Sequence, residues 1–307
     1  MYFKYRFGVE LFVLLGSILV QIVVGSNIVV DNSYTALTCN SVTKQCANLQ
    51  SALAIANNND VVVINPGTYV GYKNYELCGD NCTFTNVTIT GATTNPSDVV
   101  ISYDNSNGTS VRAMYMTSNQ IVSLKYLTIE NFNGTILIQS SLTVLPFQLG
   151  GGAAVWVKSS SVTIDSVIFQ NNKGILGGAM NLISSNLTVS NSQFYNNWAE
   201  LVGGAIATYL SNTFVQNSEF VGNNVTSSEI LSTASVGGAL YILGGTDNVA
   251  SLKNSVFRKN QAERGGGAVY MESDSKTQSD EGAFFCDSVE FEGEFGLYFF
   301  ESRFSRM

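Results

Sequence analysis

The sequence predicts an all-β chain, a right-handed parallel β-helix (a solenoid) with a short N-terminal capping helix. Three observations carry that prediction. Gly-Gly-Ala occurs five times, starting at Gly151, Gly177, Gly203, Gly237 and Gly266, in steps of 26, 26, 34 and 29 residues. Phe-x-x-Asn runs in phase with it, as Phe169/Asn172, Phe194/Asn197, Phe220/Asn223 and Phe257/Asn260, each Phe 17 to 20 residues after its Gly-Gly. Short strands alternating apolar with small polar residues recur at the same period, and hairpin signals between them are few. That cadence favours stacked parallel coils over a meander.

The chain opens on a leader. Lys4 and Arg6 precede an apolar run from Leu11 to Val24, and Val24-Gly25-Ser26 offers a cleavage site, so residues 1–26 read as a signal peptide. A membrane anchor is the rival reading. The run holds Gln21, is flanked by Glu10 and is short for a ~20-residue span, which favours the signal. No other stretch could cross a bilayer. Removing the leader moves the formal charge from −8 to −9. An acidic surface argues against nucleic acid and against electrostatic docking on anionic membranes.

Residues 27–75 read as an N-terminal cap. Leu49, Ala52, Leu53 and Ala56 recur at helical spacing within about 46–59, and Asn57-Asn58-Asn59-Asp60 stops them. Val61 to Ile64 is a fully apolar first strand, followed by the turn Asn65-Pro66-Gly67. Residues 76–149 hold strands such as Val87-Thr88-Ile89-Thr90 and Leu127-Thr128-Ile129 without the glycine repeat, and read as irregular coils. Residues 150–294 are the regular coils. Residues 295–307 crowd aromatics, fit neither the repeat nor a polar cap, and read as an atypical C-terminus of something longer.

Stacking gives each repeated residue a role. Equivalent positions in successive coils lie about 4.8 Å apart, so a residue recurring once per coil forms a ladder. The four phenylalanines are expected to stack in the core, and Asn172, Asn197, Asn223 and Asn260 to bond backbone or one another at turns. The pairs Gly177-Gly178, Gly203-Gly204, Gly237-Gly238 and Gly266-Gly267 are expected at corners, with positive φ, close backbone approach and an inward Ala. Val225 to Ser235 reads as a loop inserted at one corner.

Five cysteines in a secreted chain permit disulfides. Cys39/Cys46 and Cys78/Cys82 are local pairs, cross-pairing between them is equally allowed, and Cys286 is left over. Zinc is disfavoured, because Cys78-x-x-x-Cys82 has no second pair nearby and the chain has no histidine. Neither metal nor cofactor is expected. Six sequons, at Asn81, Asn86, Asn107, Asn133, Asn186 and Asn224, match what composition alone yields, and are N-glycosylation sites only in a eukaryotic host.

The short helix feeding Val61–Ile64 and a Pro-Gly turn resembles the N-terminal end of pectin-lyase-like β-helices, where such a helix shields the open coil. Gly-Gly-Ala-hydrophobic with Phe-x-x-Asn, over roughly residues 150–272, resembles the repeat of chlamydial polymorphic outer membrane proteins. The matching residues include Gly177-Gly178-Ala179-Met180 and Gly203-Gly204-Ala205-Ile206. That resemblance implies a surface-exposed, adhesive passenger. The membrane barrel of that family has no counterpart in the sequence, so its autotransporter part does not carry over.

Pectin-lyase-like folds also carry polysaccharide lyases and hydrolases. Without histidine, Ser-His-Asp triads and His-dependent motifs are excluded. Paired carboxylates remain, and the candidates are Asp165, Glu200, Glu219, Glu229, Asp247 and Glu263, none in a recognisable motif. Arg258 and Arg264 read as exposed turn residues. The expectation is a secreted or cell-surface structural or adhesion-type scaffold whose partner is extracellular matrix, a cell-surface protein or carbohydrate. A polysaccharide-active enzyme is the alternative. So is carbohydrate binding without cleavage, on exposed Tyr209, Tyr241, Tyr270 or Trp198.

Overall fold

The computed structural model describes residues 13–15, 18–20, 25–36, 38–40, 42–78, 82, 84–104, 111–117, 119–135, 154–226, 235–245, 247–273, 283–292 and 297–300. Within them the chain winds as a right-handed parallel β-helix. Each regular coil lays strands on three parallel sheets, of sixteen, eight and four strands. Val13–Leu15 and Ile18–Val20 stand apart as an antiparallel pair. The Gly151 triplet, Asn81, Asn107 and Glu229 lie outside the described residues.

The cap differs from the sequence reading in two respects. Val61–Ile64 is not the first strand of the coil: Asn27–Val30 precedes it and pairs with Asp60–Ile64 in parallel register. The helix is confined to Leu49–Ile55 rather than 46–59. Cys46 is taken up by a strand beside Val30 and by the disulfide to Cys39, so the helix cannot begin there. Asn48 starts it by accepting the Ser51 N–H at 2.9 Å, which satisfies an otherwise orphaned first-turn donor. Ala56 ends it in extended geometry. Leu49, Ala52 and Leu53 are buried, and the helix packs on Leu77–Cys78, the first strand of the eight-stranded sheet, as a lid on the open coil. Cys78 pairs with Cys82, so both disulfides are local and the cross-paired alternatives are not formed.

The Phe-x-x-Asn spacing has a geometric cause. The residue before each Asn adopts positive φ: Asn171 at 56°, Asn196 at 51°, Gly222 at 65° and Lys259 at 54°. This single left-handed residue turns the chain and directs the following Asn inward. Phe169, Phe194, Phe220 and Phe257 are buried and stack with centroids 5.1, 4.6 and 4.7 Å apart and rings within 7° of parallel. Phe291 extends the column by a further coil, at 5.3 Å.

Beside the ring stack runs an amide ladder. The Asn197 side-chain amide donates to Asn223 Oδ1 at 3.0 Å and to the Phe169 carbonyl at 3.0 Å, while Asn223 Oδ1 also takes the Asn197 backbone N–H at 3.0 Å. Asn172 and Asn223 repeat the pattern toward Asn197 and Asn260. All four are essentially unexposed, and each finds partners for both ends of its amide. Upstream the ladder ends on the backbone N–H of Phe132, which donates to Asn172 Oδ1 at 3.1 Å.

At the Gly-Gly corners the two glycines are needed for different reasons. The first, as at Gly203, has φ of 63°. The second, as at Gly204, lies against the next coil: a β-carbon there would sit 2.6 Å from Asn224 N and would also meet the Gly238 carbonyl. The following Ala179, Ala205, Ala239 and Ala268 fill the interior of the corner. The insertion is shorter than 225–235. Val225 lies in a strand and is fully buried, and buried Ser235 closes the loop by donating to the Val225 carbonyl at 3.2 Å. Leu297–Phe300 pairs in register with Val269–Glu272, so this part of 295–307 adds a strand to the eight-stranded sheet.

Candidate functional site

Because each repeated Phe points inward, the residue after it points outward. Register aligns Gln170, Tyr195, Val221, Arg258 and Glu292 in one outward column of the sixteen-stranded sheet, preceded in it by Ser102 and Glu130. Glu219, one residue before Phe220, lies beside this column. Its carboxylate accepts from Tyr195 Oη at 2.8 Å and pairs with Arg258 Nη1 at 3.4 Å. Arg258 Nε lies 2.9 Å from Glu292 as an ion pair without hydrogen-bond alignment, so one guanidinium sits between two carboxylates from different coils. Glu130 accepts from the Gln170 amide at 2.6 Å farther up. Arg258 is therefore a half-buried strand residue and not the exposed turn residue the sequence suggests. Tyr195 and Glu292 were missed altogether, although counting one residue on from each repeated Phe would have found both.

The remaining acids are dispersed. Asp165 accepts from Ser190 at 3.2 Å and Asn191 at 2.9 Å on another column of the same sheet. Glu200 is half-buried on Trp198–Val202, and Asp247 is exposed in a turn. Glu263 lies one coil beyond Ser235, whose hydroxyl takes its backbone N–H at 3.3 Å. Arg264 is exposed. Among the described residues, no three His, Cys, Asp or Glu side chains gather where they could hold a metal ion.

The aromatic candidates separate into two kinds. Tyr209, Tyr241 and Tyr270 are buried, at 4%, 7% and 9% exposure, and so are not the solvent-facing platforms the sequence allowed. They point outward from the eight-stranded sheet but are covered by Ile175, Leu176, Leu201 and Val202, the apolar residues leading into the Gly-Gly corners. Trp198 is half-buried. A further outward pair, Tyr115 and Trp156, stacks at 4.6 Å, with the Arg112 guanidinium about 6 Å from the Trp156 ring. Asn181 is next in that column, and its amide atoms and Trp156 Nε1 have no partner among the described residues. At 0% and 3% exposure they are out of reach of a ligand arriving from solvent.

The tyrosines give the fold an alkaline limit. Burial, then the hydrogen bond to Glu219, pushes the Tyr195 phenol up to about 12. Burial alone dominates at Tyr69, also about 12, and burial followed by the Glu272 carboxylate raises Tyr241 further. Each phenol stays protonated in the fold and ionises near its ordinary value of about 10 in the unfolded chain. Stability is therefore full below about pH 10 and is lost as pH rises from there through 12. Tyrosinate absorbance and loss of the β circular dichroism signal should appear together above pH ~10. Ionisation of all fourteen tyrosines at pH 10 with the fold intact would contradict this assignment.

Four sequons fall on described residues. Asn186 is exposed and bonded to its coil neighbours Ser161 and Asn212, and Asn86 donates to Asn59. Asn133 accepts from Thr135, and Asn224 donates to Thr226. Cys286 is exposed and unpaired with any cysteine. Among the described residues no helix is long and apolar enough to cross a membrane.

No family model matches the chain, and no curated protein does, so the likeness to the chlamydial repeat rests on its motifs alone. Two solved structures align with it. Pectin methylesterase PemA from Erwinia chrysanthemi is 12% identical, with 85% of this chain and 93% of that one covered, at a TM-score of 0.35. A pectin methylesterase in complex with hexasaccharide VII is 13% identical over the same shares, also at 0.35.

Proposed function

We propose that this protein is an extracellular, non-catalytic scaffold of structural or adhesive type, which presents the polar flank of its sixteen-stranded sheet to a matrix, cell-surface or carbohydrate partner. The observation that carries this reading is the use made of its acids. Glu219, the best-placed carboxylate, is spent on Arg258 and Tyr195, a pairing that ties neighbouring coils together. The leader, the two local disulfides and the acidic, histidine-free composition support an extracellular setting. Partly exposed surface pairs of this kind contribute ~1 kcal/mol or less to stability, so the flank can carry recognition without compromising the fold.

A polysaccharide-active enzyme is the second reading, and one observation favours it: Glu219 and Glu292 converge on one arginine at an exposed face. A single assay separates the two. Purified protein incubated with esterified and de-esterified pectins and β-glucans should release neither reducing ends nor methanol, while retaining binding to cells or matrix. Turnover that disappears in Glu219→Gln or Glu292→Gln would replace the scaffold reading with the catalytic one.

A further inference from the structure

We infer that Asn224 is an N-glycosylation site whose first sugar lies on the indole of Trp198. The inference rests on the extracellular reading above, in a eukaryotic host, and adds to it the modification and its docking surface. Asn224-Val225-Thr226 is a complete sequon on the four-stranded sheet. Strand alternation fixes its direction: Val225 and Ala199 are fully buried, so Asn224 and its register partner Trp198 both face outward. The two side chains leave adjacent coils about 4.8 Å apart, the distance at which the apolar face of a sugar ring attached to one meets an aromatic ring on the other.

Three comparisons single out this sequon. Asn86 lies next to Ile121 in register, Asn133 next to Val111 and Lys173, and Asn186 next to Ser161 and Asn212, so none of them has a ring beside it. Asn86 and Asn186 also use their amides to bridge coils, whereas the Asn224 amide donates at 3.0 Å to Thr226 of its own sequon, so no inter-coil bond is at stake. And Trp198 is half-buried, with Lys173 as its register neighbour on the preceding coil and no ring stacked on it among the described residues. An indole left partly exposed beside an attachment point is explained if a sugar covers it.

The chemistry balances without any group from the fold. An oligosaccharide carried on a lipid pyrophosphate supplies the anomeric carbon. Its bond to the pyrophosphate oxygen breaks, a bond to Asn224 Nδ2 forms, the amide gives up one proton, and the lipid pyrophosphate leaves. The transfer meets the chain before it folds, and coil closure then brings Trp198 under the sugar.

The test is expression of the full chain, with its own leader, in a eukaryotic secretory host. Glycopeptide mass spectrometry should find Asn224 occupied. Melting is then compared across four proteins: wild type, Trp198→Ala, Thr226→Ala (which removes the sequon but keeps Asn224) and the double variant. Trp198→Ala should lower the Tm by about 2 °C or more beyond its effect in the Thr226→Ala background. A bare Asn224 on a protein glycosylated elsewhere overturns the site. Equal losses in the two backgrounds overturn the docking on Trp198. Absence of sugar at all six sequons overturns the secretory reading, and this inference falls with it.

Discussion

Replacing Asn223 with alanine will destabilise the fold by about 4 kcal/mol, enough to threaten a domain whose whole stability is about 5–15 kcal/mol. The change removes an acceptor used by both the backbone and the side-chain N–H of Asn197, and a donor to the Phe194 carbonyl. Two N–H donors of Asn197 would then be buried without an acceptor, and each costs about 1–3 kcal/mol. Water cannot replace them, because Asn223 is fully buried. Asn186 supplies the contrast, as it belongs to a ladder of similar distances that is exposed to solvent. Asn186→Ala should cost less than ~1 kcal/mol, since water takes over its bonds. Urea unfolding followed by circular dichroism measures both, and equal losses would mean that the inner amide ladder is not what holds the coils in register.

Gly204→Ala should be comparably damaging, by a different route. Its β-carbon would press on the backbone of Asn224 and Gly238, which belong to the next coil and cannot rotate aside. Relief requires separating two coils along the whole corner, so a cost of at least ~3 kcal/mol and loss of soluble protein are expected. Gly244→Ala is the control. A β-carbon there meets nothing within 4 Å, and the residue does not need positive φ. That variant should be neutral or slightly stabilised, through the smaller entropy of its unfolded chain. If Gly204→Ala unfolds at the same urea concentration as wild type, the close approach at the corner is not a constraint on sequence.

These two positions illustrate what was legible before the structure. Stacking turns a spatial column into a sequence period, so Phe220, Asn223 and Gly204 announce themselves by recurring with the coil. Their inward direction follows from the left-handed residue at Gly222 and its counterparts, which is a local property. The outward column was harder to see. Tyr195, Glu219, Arg258 and Glu292 are of different types and are separated by 24, 39 and 34 residues, so no repeat marks them. They align only once each coil length is fixed, and the coil containing residues 226–235 is longer than its neighbours. Asn27–Val30 was missed for another reason: four residues directly after the segment that reads as a signal peptide carry too little pattern to be told from a linker. The burial of Tyr209, Tyr241 and Tyr270 was not readable either, because it depends on apolar residues near the Gly-Gly corners folding back over the sheet.

The amide ladder also bears on how the protein responds to load. Tension along the solenoid axis acts along the hydrogen bonds between coils, so all bonds joining one coil to the next carry it together. Asn172, Asn197, Asn223 and Asn260 add buried links in parallel with the three sheets, at steps of 25, 26 and 37 residues. A chain anchored at both ends therefore resists stretching as a series of stiff clamps and yields one coil at a time. Each yielding coil pays out its own length, about 85–90 Å for the shorter coils and about 125 Å for the coil that carries the insertion. In a surface fibre that insertion would serve as the longest reserve of slack.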